Sequence, residues 1–304
     1  MKPNDIFYTS QDGLRLYAKE YGDRKAPIPA ICMHGLTRNH KDFEPMIASL
    51  GDGHRFISVD VRGRGLSERT ENPELYNPVQ YAEDMIALLD HLGLKKVVLI
   101  GTSMGGLISM FIMNKAPERI TGVILNDVGP VVERAGLERI SEYASKRSVY
   151  ADWNEAAQAI AETQRVAFPE YADDDWLAFA ARTYCEQDGG GIVPDFDPNI
   201  MNAFTTKPPS RFAKFAMWRL FGKLKSTPLL IIRGENSDVF SAKTAKMMHH
   251  RHRNSRLVTV PGRGHAPMLD EAEAVRAIAE FLSLHLSGSV ENAVKNSPGD
   301  VVLT

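Results

Sequence analysis

Apolar positions along the chain alternate between two periods. Short runs of strand length occur at 14–20, 29–33, 55–59, 96–100, 121–125, 228–233 and 256–260. Several are continuous, such as Val97-Val98-Leu99-Ile100 and Leu229-Leu230-Ile231-Ile232, the pattern of strands covered by helices on both faces. Between them lie stretches of helical period. In 78–92, Tyr81, Met85, Leu88, Leu89 and Leu92 form one stripe, with Asn77-Pro78 as cap and first turn and Gly93 as stop. Residues 104–115 and 270–285 also read as helices. The alternation predicts an α/β fold: a mostly parallel sheet with helices on both faces.

From about 129 to 225 the alternation stops. Helical stretches at 137–148, 153–168, 173–185 and 211–224 follow one another without a strong strand run, and Gly189-Gly190-Gly191 and Pro208-Pro209 mark turns. The predicted layout is a core in two parts, 1–128 and 226–286, an inserted helical lid at 129–225 and a C-terminal tail at 287–304. The tail loses its periodicity, so it is expected to fray or to pack on a partner chain; a homodimer stays open.

Composition narrows the picture. Lys+Arg 36 against Asp+Glu 38 gives a net charge of −2, with 43% hydrophobic and 24% charged residues. That balance fits a globular protein and offers no overall positive field for nucleic acid or anionic membrane, so neither is expected as a partner. Cys32 and Cys185 cannot make a disulfide framework or a thiolate metal cage. Met1-Lys2-Pro3-Asn4-Asp5 lacks the apolar run of a signal peptide, and the expected location is the cytoplasm.

Chemistry concentrates at Gly101-Thr102-Ser103-Met104-Gly105. This G-x-S-x-G follows a strand and leads directly into a helix, the setting of a sharp turn that presents a nucleophilic serine. A hydroxyl needs a base, and His265, in the turn-rich Gly262-Arg263-Gly264-His265-Ala266-Pro267 after the last strand, is the best placed of nine histidines. A carboxylate should hold its imidazole. Asp238, after the penultimate strand, is the first choice, and Asp127, at the end of 123–127, competes with it. The backbone amides of Leu36, at the end of the 28–33 run, and of Met104 would hold an oxyanion. His34 is expected to hold its loop by hydrogen bonds, and Asp60, Arg62 and Arg64 to brace the loop beside the site. A carboxylate-binding role for Arg38 or Arg62 is a lesser expectation.

Taken together, His34-Gly35, Asp60-Val61-Arg62-Gly63-Arg64-Gly65-Leu66-Ser67, Gly101 to Gly106, Asp238 and Gly264-His265 resemble the α/β-hydrolase superfamily over roughly residues 14–286. Within it the chain is similar to the group of enol-lactone hydrolases, carboxylesterases, cofactor-free haloperoxidases and C–C bond hydrolases. The resemblance implies an eight-stranded sheet and a two-step mechanism through an acyl-serine. The expected activity is hydrolysis of a small or medium carboxylic ester or lactone, with no cofactor and no metal. C–C hydrolases of the group usually carry Asn and Trp where this chain has Thr102 and Ala266, which makes cleavage of a vinylogous diketone the second reading; a receptor without turnover is the third. Ser103 excludes an aspartate-nucleophile chemistry.

Other conspicuous features have plain readings. His249, His250 and His252 lack the spacing of a helical metal pair. Asp173-Asp174-Asp175 reads as a helix start. Gly63-x-Gly65 and Gly262-x-Gly264 lack the context of nucleotide loops. The aromatics between 153 and 221 are expected mainly to build the lid's own core, with a few lining an apolar cleft against the sheet.

Overall fold

A computed structural model describes residues 2–146, 148–204, 206 and 210–285. The Pro208-Pro209 turn and the 287–304 tail lie outside these residues. Strands β1 (Asn4–Thr9), β2 (Arg15–Gly22), β3 (Ala30–Met33), β4 (Arg55–Asp60), β5 (Val97–Thr102) and β6 (Ile120–Asn126) precede a short hairpin, β7 (Tyr184–Glu186) and β8 (Ile192–Pro194); β9 (Leu229–Gly234) and β10 (Ser255–Val260) follow it. The helices are α1 (Glu44–Leu50), α2 (Pro78–His91), α3 (Met104–Lys115), α4 (Arg134–Ala144), α5 (Trp153–Gln164), α6 (Asp173–Thr183), α7 (Arg211–Phe221), α8 (Ala242–Arg251) and α9 (Ala272–His285).

Eight strands form one sheet in the order β1-β2-β4-β3-β5-β6-β9-β10. The pairs β1–β2 and β2–β4 are antiparallel and the others parallel. Side chains of α2, α3 and α8 cover one face of the sheet and those of α1 and α9 the other. Both faces are therefore dry, which is why β3, β9 and most of β5 are buried throughout. The antiparallel edge strand β1 was not anticipated. Only Ile6 and Tyr8 of its six residues are buried, too weak an alternation to read without its partner β2. Helix α2 starts as expected: the Asn77 side chain accepts from the Val79 and Gln80 amides at 3.0 Å each.

Register places the functional ends together. Met33 of β3 lies beside Gly101 of β5, Thr102 of β5 beside Asn126 of β6, and Asn126 beside Ile232 of β9. Four parallel strands thus end side by side, and the loops leaving them share one edge of the sheet.

The segment between β6 and β9 departs from its expected form in two ways. The expected helix 173–185 stops at Thr183, and Cys185 lies in β7 of a two-stranded hairpin. Gly189, Gly190 and Gly191 all take positive φ there, a turn that reverses the chain for pairing rather than merely interrupting it. The aromatics also divide. Phe168, Trp176 and Phe179 form a core with α5 and α6, but Phe196 and Phe221 belong to the core under the sheet, and α7 packs on α3. Phe212 and Phe215 face solvent. Among the described residues no helix is long and apolar enough to cross a membrane.

Candidate active site

Ser103 stands between β5 and α3 with φ 51° and ψ −111°, a conformation that non-glycine residues rarely adopt. Close packing holds it there. A Cβ on Gly101 would lie 2.4 Å from the Gly105 carbonyl carbon, and one on Gly105 would lie 1.9 Å from the Met33 carbonyl oxygen. Only glycine lets the start of α3 come this near β5 and β3. The Ser103 amide donates to the Asn126 carbonyl at 2.9 Å, so neighbouring β6 also fixes the turn. The strain is borne by surrounding structure rather than relaxed, as expected where a side chain must project into a cleft.

His265 reaches this serine from the loop after β10. Its Nε2 lies 2.9 Å from Ser103 Oγ, and its Nδ1 lies 2.8 Å from Asp127 Oδ2. Since a carboxylate only accepts, Nδ1 carries the proton and Nε2 is left to accept from the serine hydroxyl. The imidazole loop is anchored on two sides. Gly264 donates its amide to the Ala167 carbonyl at 2.8 Å, and the Asn126 side chain donates to the Pro267 carbonyl at 2.8 Å.

The carboxylate facing His265 is Asp127, which corrects the first choice of Asp238. Asp127 is fully buried and has φ 56°, turning its side chain back over the sheet edge. Its oxygens also accept from the Gly234 amide at 2.9 Å and the Ser237 hydroxyl at 2.6 Å. Asp238 is instead taken by Arg139 of α4, with Nε and Nη2 at 2.6 and 2.9 Å from its two oxygens. Gly136 permits that approach, since a Cβ there would lie 2.7 Å from the Asp238 carbonyl oxygen. Burial opposes ionisation of Asp238, but the hydrogen bonds and charge of Arg139 outweigh it and hold the pKa below the usual carboxylate value. Both acids follow parallel strands, so strand position alone could not separate them. The available signal was that Asp127 leaves β6, the strand beside the serine's own.

Opposite the serine, Gly35 comes close enough that a Cβ on it would lie 3.9 Å from the Ser103 Cβ. The next amide, that of Leu36, and the amide of Met104 have no acceptor among the described residues. His34 holds this loop from below: the Val61 amide donates to its Nε2 at 3.0 Å and its Nδ1 donates to the Gly35 carbonyl at 2.7 Å. Burial pushes its pKa down to about 4, so it stays neutral, as both hydrogen bonds require.

The Asp60–Ser67 motif supports the same loop. Buried Asp60 accepts from the amides of His40 and Leu66. Arg62 forms paired bonds with Asp84 and Asp12, and so is engaged away from the cleft. Arg64 was expected only as a brace, yet it bridges both amide-bearing residues. Its Nε donates to the Leu36 carbonyl at 2.9 Å and its Nη2 lies 3.6 Å from Met104 Sδ. Arg38 is paired with Asp42, donates to Thr183 Oγ1 and lies 4.0 Å over the Phe179 ring.

Ser103 and His265 open into a cleft between the sheet edge and residues 140–196. Ile140, Ile160, Phe168, Phe179 and Met268 give it apolar walls, while Thr37, Tyr143, Thr163 and Gln164 supply hydroxyl and amide groups. Among the described residues there is no group of three or more His, Cys, Asp or Glu side chains arranged to hold a metal.

A family model described as alpha/beta hydrolase fold matches residues 29–272. The chain belongs to the α/β-hydrolase family. It is 31% identical over 274 residues to a 3-hydroxybutyrate-oligomer hydrolase of Cupriavidus necator, covering 88% of this chain and 93% of that one. An esterase of Escherichia coli is 25% identical over 84% of this chain and 93% of its own. Among solved structures, an alpha/beta hydrolase of Novosphingobium aromaticivorans is 40% identical, with a TM-score of 0.85, and covers 92% of this chain and 98% of that one. This α/β hydrolase thus has hydrolase- and esterase-named relatives along nearly its whole length.

Proposed function

We propose that this α/β hydrolase is a serine hydrolase of small or medium carboxylic esters or lactones, acting through an acyl-serine intermediate. The observation that carries the reading is the unbroken chain from Ser103 Oγ through His265 to Asp127, at 2.9 and 2.8 Å, opening into a partly apolar cleft. His265 Nε2 takes the Ser103 proton as Oγ attacks the carbonyl carbon. The Leu36 and Met104 amides donate to the resulting oxyanion, and Arg64 keeps the Leu36 peptide in place from behind. The imidazolium, steadied by Asp127, returns its proton to the departing alkoxide oxygen. Water deprotonated by His265 then attacks the acyl-serine, and collapse of that second intermediate restores Ser103. Helices α4, α5 and α6 with the β7–β8 hairpin serve as the lid.

The Cupriavidus relative, named for hydrolysis of 3-hydroxybutyrate oligomers, supports short hydroxyacyl esters as the preferred class. The mixed wall of Thr37, Tyr143, Thr163 and Gln164 against Ile160 and Phe179 suits such a substrate, which repeats apolar and hydrogen-bonding groups. The test is hydrolysis of p-nitrophenyl esters from acetate to decanoate, and of 3-hydroxybutyrate dimer and trimer, by the protein and by Ser103→Ala. Turnover lost in the variant supports the reading, and turnover unchanged in it rejects Ser103 as nucleophile.

A further inference from the structure

Helix α7 is not part of the cleft, and its outer face has no role in the proposed reaction. Its inner side is settled: Phe221 is buried, Met217 and Trp218 pack against the core under the sheet, and Arg251 lies 4.3 Å over the Trp218 ring. Its outer side is unusual for a protein surface. Phe212 and Phe215, one turn apart, are 79% and 60% exposed. Arg211, Arg219 and Lys223 share this face at i+4 spacing with Phe215, with Lys225 just beyond, and none of these four makes an ion pair with a described residue. No Asp or Glu occurs between Asp197 and Glu235. The chain's net charge of −2 therefore conceals one strongly cationic, aromatic-tipped surface.

Two costs are left unmet in water: large aromatic area is exposed, and like charges gather along one face without an ion pair among the described residues. An anionic bilayer relieves both. Phenyl rings enter the boundary between headgroups and acyl chains, while the flanking ammonium and guanidinium groups remain among the lipid phosphates. A nucleic-acid duplex, which presents its phosphates and keeps its bases stacked, would leave the two phenylalanines exposed. We propose that the outer face of α7 is a peripheral docking site for an anionic lipid surface, binding parallel to the membrane with Phe212 and Phe215 inserted. The cleft is lined from other elements, and no residue of α7 borders it. This inference does not depend on the hydrolytic reading.

The experiment is flotation of the full chain with vesicles of phosphatidylcholine alone and of phosphatidylcholine with about one third phosphatidylglycerol. Binding is expected to the anionic vesicles only, and 0.5 M salt is expected to release it. Phe212→Ser/Phe215→Ser and Arg219→Glu/Lys223→Glu should each lower partitioning about tenfold or more, with melting temperatures unchanged because neither pair is buried. Absence of binding, equal binding to neutral vesicles, or variants that float like the wild type would each overturn the proposal. So would sedimentation showing that the Phe212→Ser/Phe215→Ser protein loses a dimer while still floating normally, because the face would then belong to a second copy.

Discussion

The sheet edge and the segment that covers it are built on different terms. At the edge, β3, β5, β6 and β9 are locked by parallel ladders between two dry helical layers, and each reacting side chain leaves a strand end within a few residues. The covering segment rests on a small aromatic core of its own, with Phe168 against Tyr171, Trp176 and Phe179. It meets the sheet through separate polar ties: Arg139 to Asp238, Arg38 to Thr183, Tyr76 to Asp197, and Gly264 to Ala167. Rigid strand ends suit a constellation that must hold tenths of an ångström, and a discretely tethered cover suits a surface that adapts to what is bound.

Substitutions can break this contrast. Ser103→Ala should lower kcat by about 10⁴ to 10⁶ with the fold intact, by steady-state assay beside circular dichroism. Asp127→Asn should lower kcat by about 10³ to 10⁴, since His265 would lose the acceptor that fixes its tautomer, whereas Asp238→Asn should cost less than about tenfold. A larger loss at Asp238 would reverse the assignment. In the cover, Trp176→Ala should cost about 3–5 kcal/mol of local stability and raise KM far more than it lowers kcat; proteolysis confined to the cover would report the loosening. An equal fall in kcat would mean that the two regions are one mechanical unit.

His34 sharpens the comparison through pH. Its folded pKa is depressed to about 4 by burial, against about 6.5 when unfolded, so its contribution is complete above pH 6.5 and is lost as pH falls toward 4. The unfolded chain takes up the proton first over that window. Chemical denaturation at pH 7 and pH 4 should show about 3 kcal/mol of this loss, absent in His34→Gln. The Arg139–Asp238 tie acts in the same sense at lower pH. Because the folded Asp238 pKa is lowered, its contribution is present above the unfolded carboxylate value and disappears as pH drops through the folded one. The cover should therefore loosen in acid, a smaller effect because Asp238 is partly solvated.

Much of the sheet region was readable from residues alone. Continuous apolar strands, the Asn77 cap, and the glycines around Ser103 each answer to a local demand: a dry face, an orphan amide, or a backbone approach that leaves no room for a Cβ. The β7–β8 hairpin was not readable, because its strands are three residues each and acquire their identity only by pairing. Nor was the outward direction of Phe212 and Phe215, since helical period says which residues share a face but not whether a neighbour covers it.

By itself, the sequence determined the individual strands and helices, the serine turn and the histidine loop, because those depend on residues close together in the chain. Only the tertiary structure decided which carboxylate meets His265. Asp127 and Asp238 both leave strand ends at the same edge, and their roles separate because Arg139, 99 residues from Asp238, claims it while β6 sets Asp127 beside the imidazole. Competition of that kind is settled by charges and backbones brought together across the fold, and no local pattern encodes its outcome.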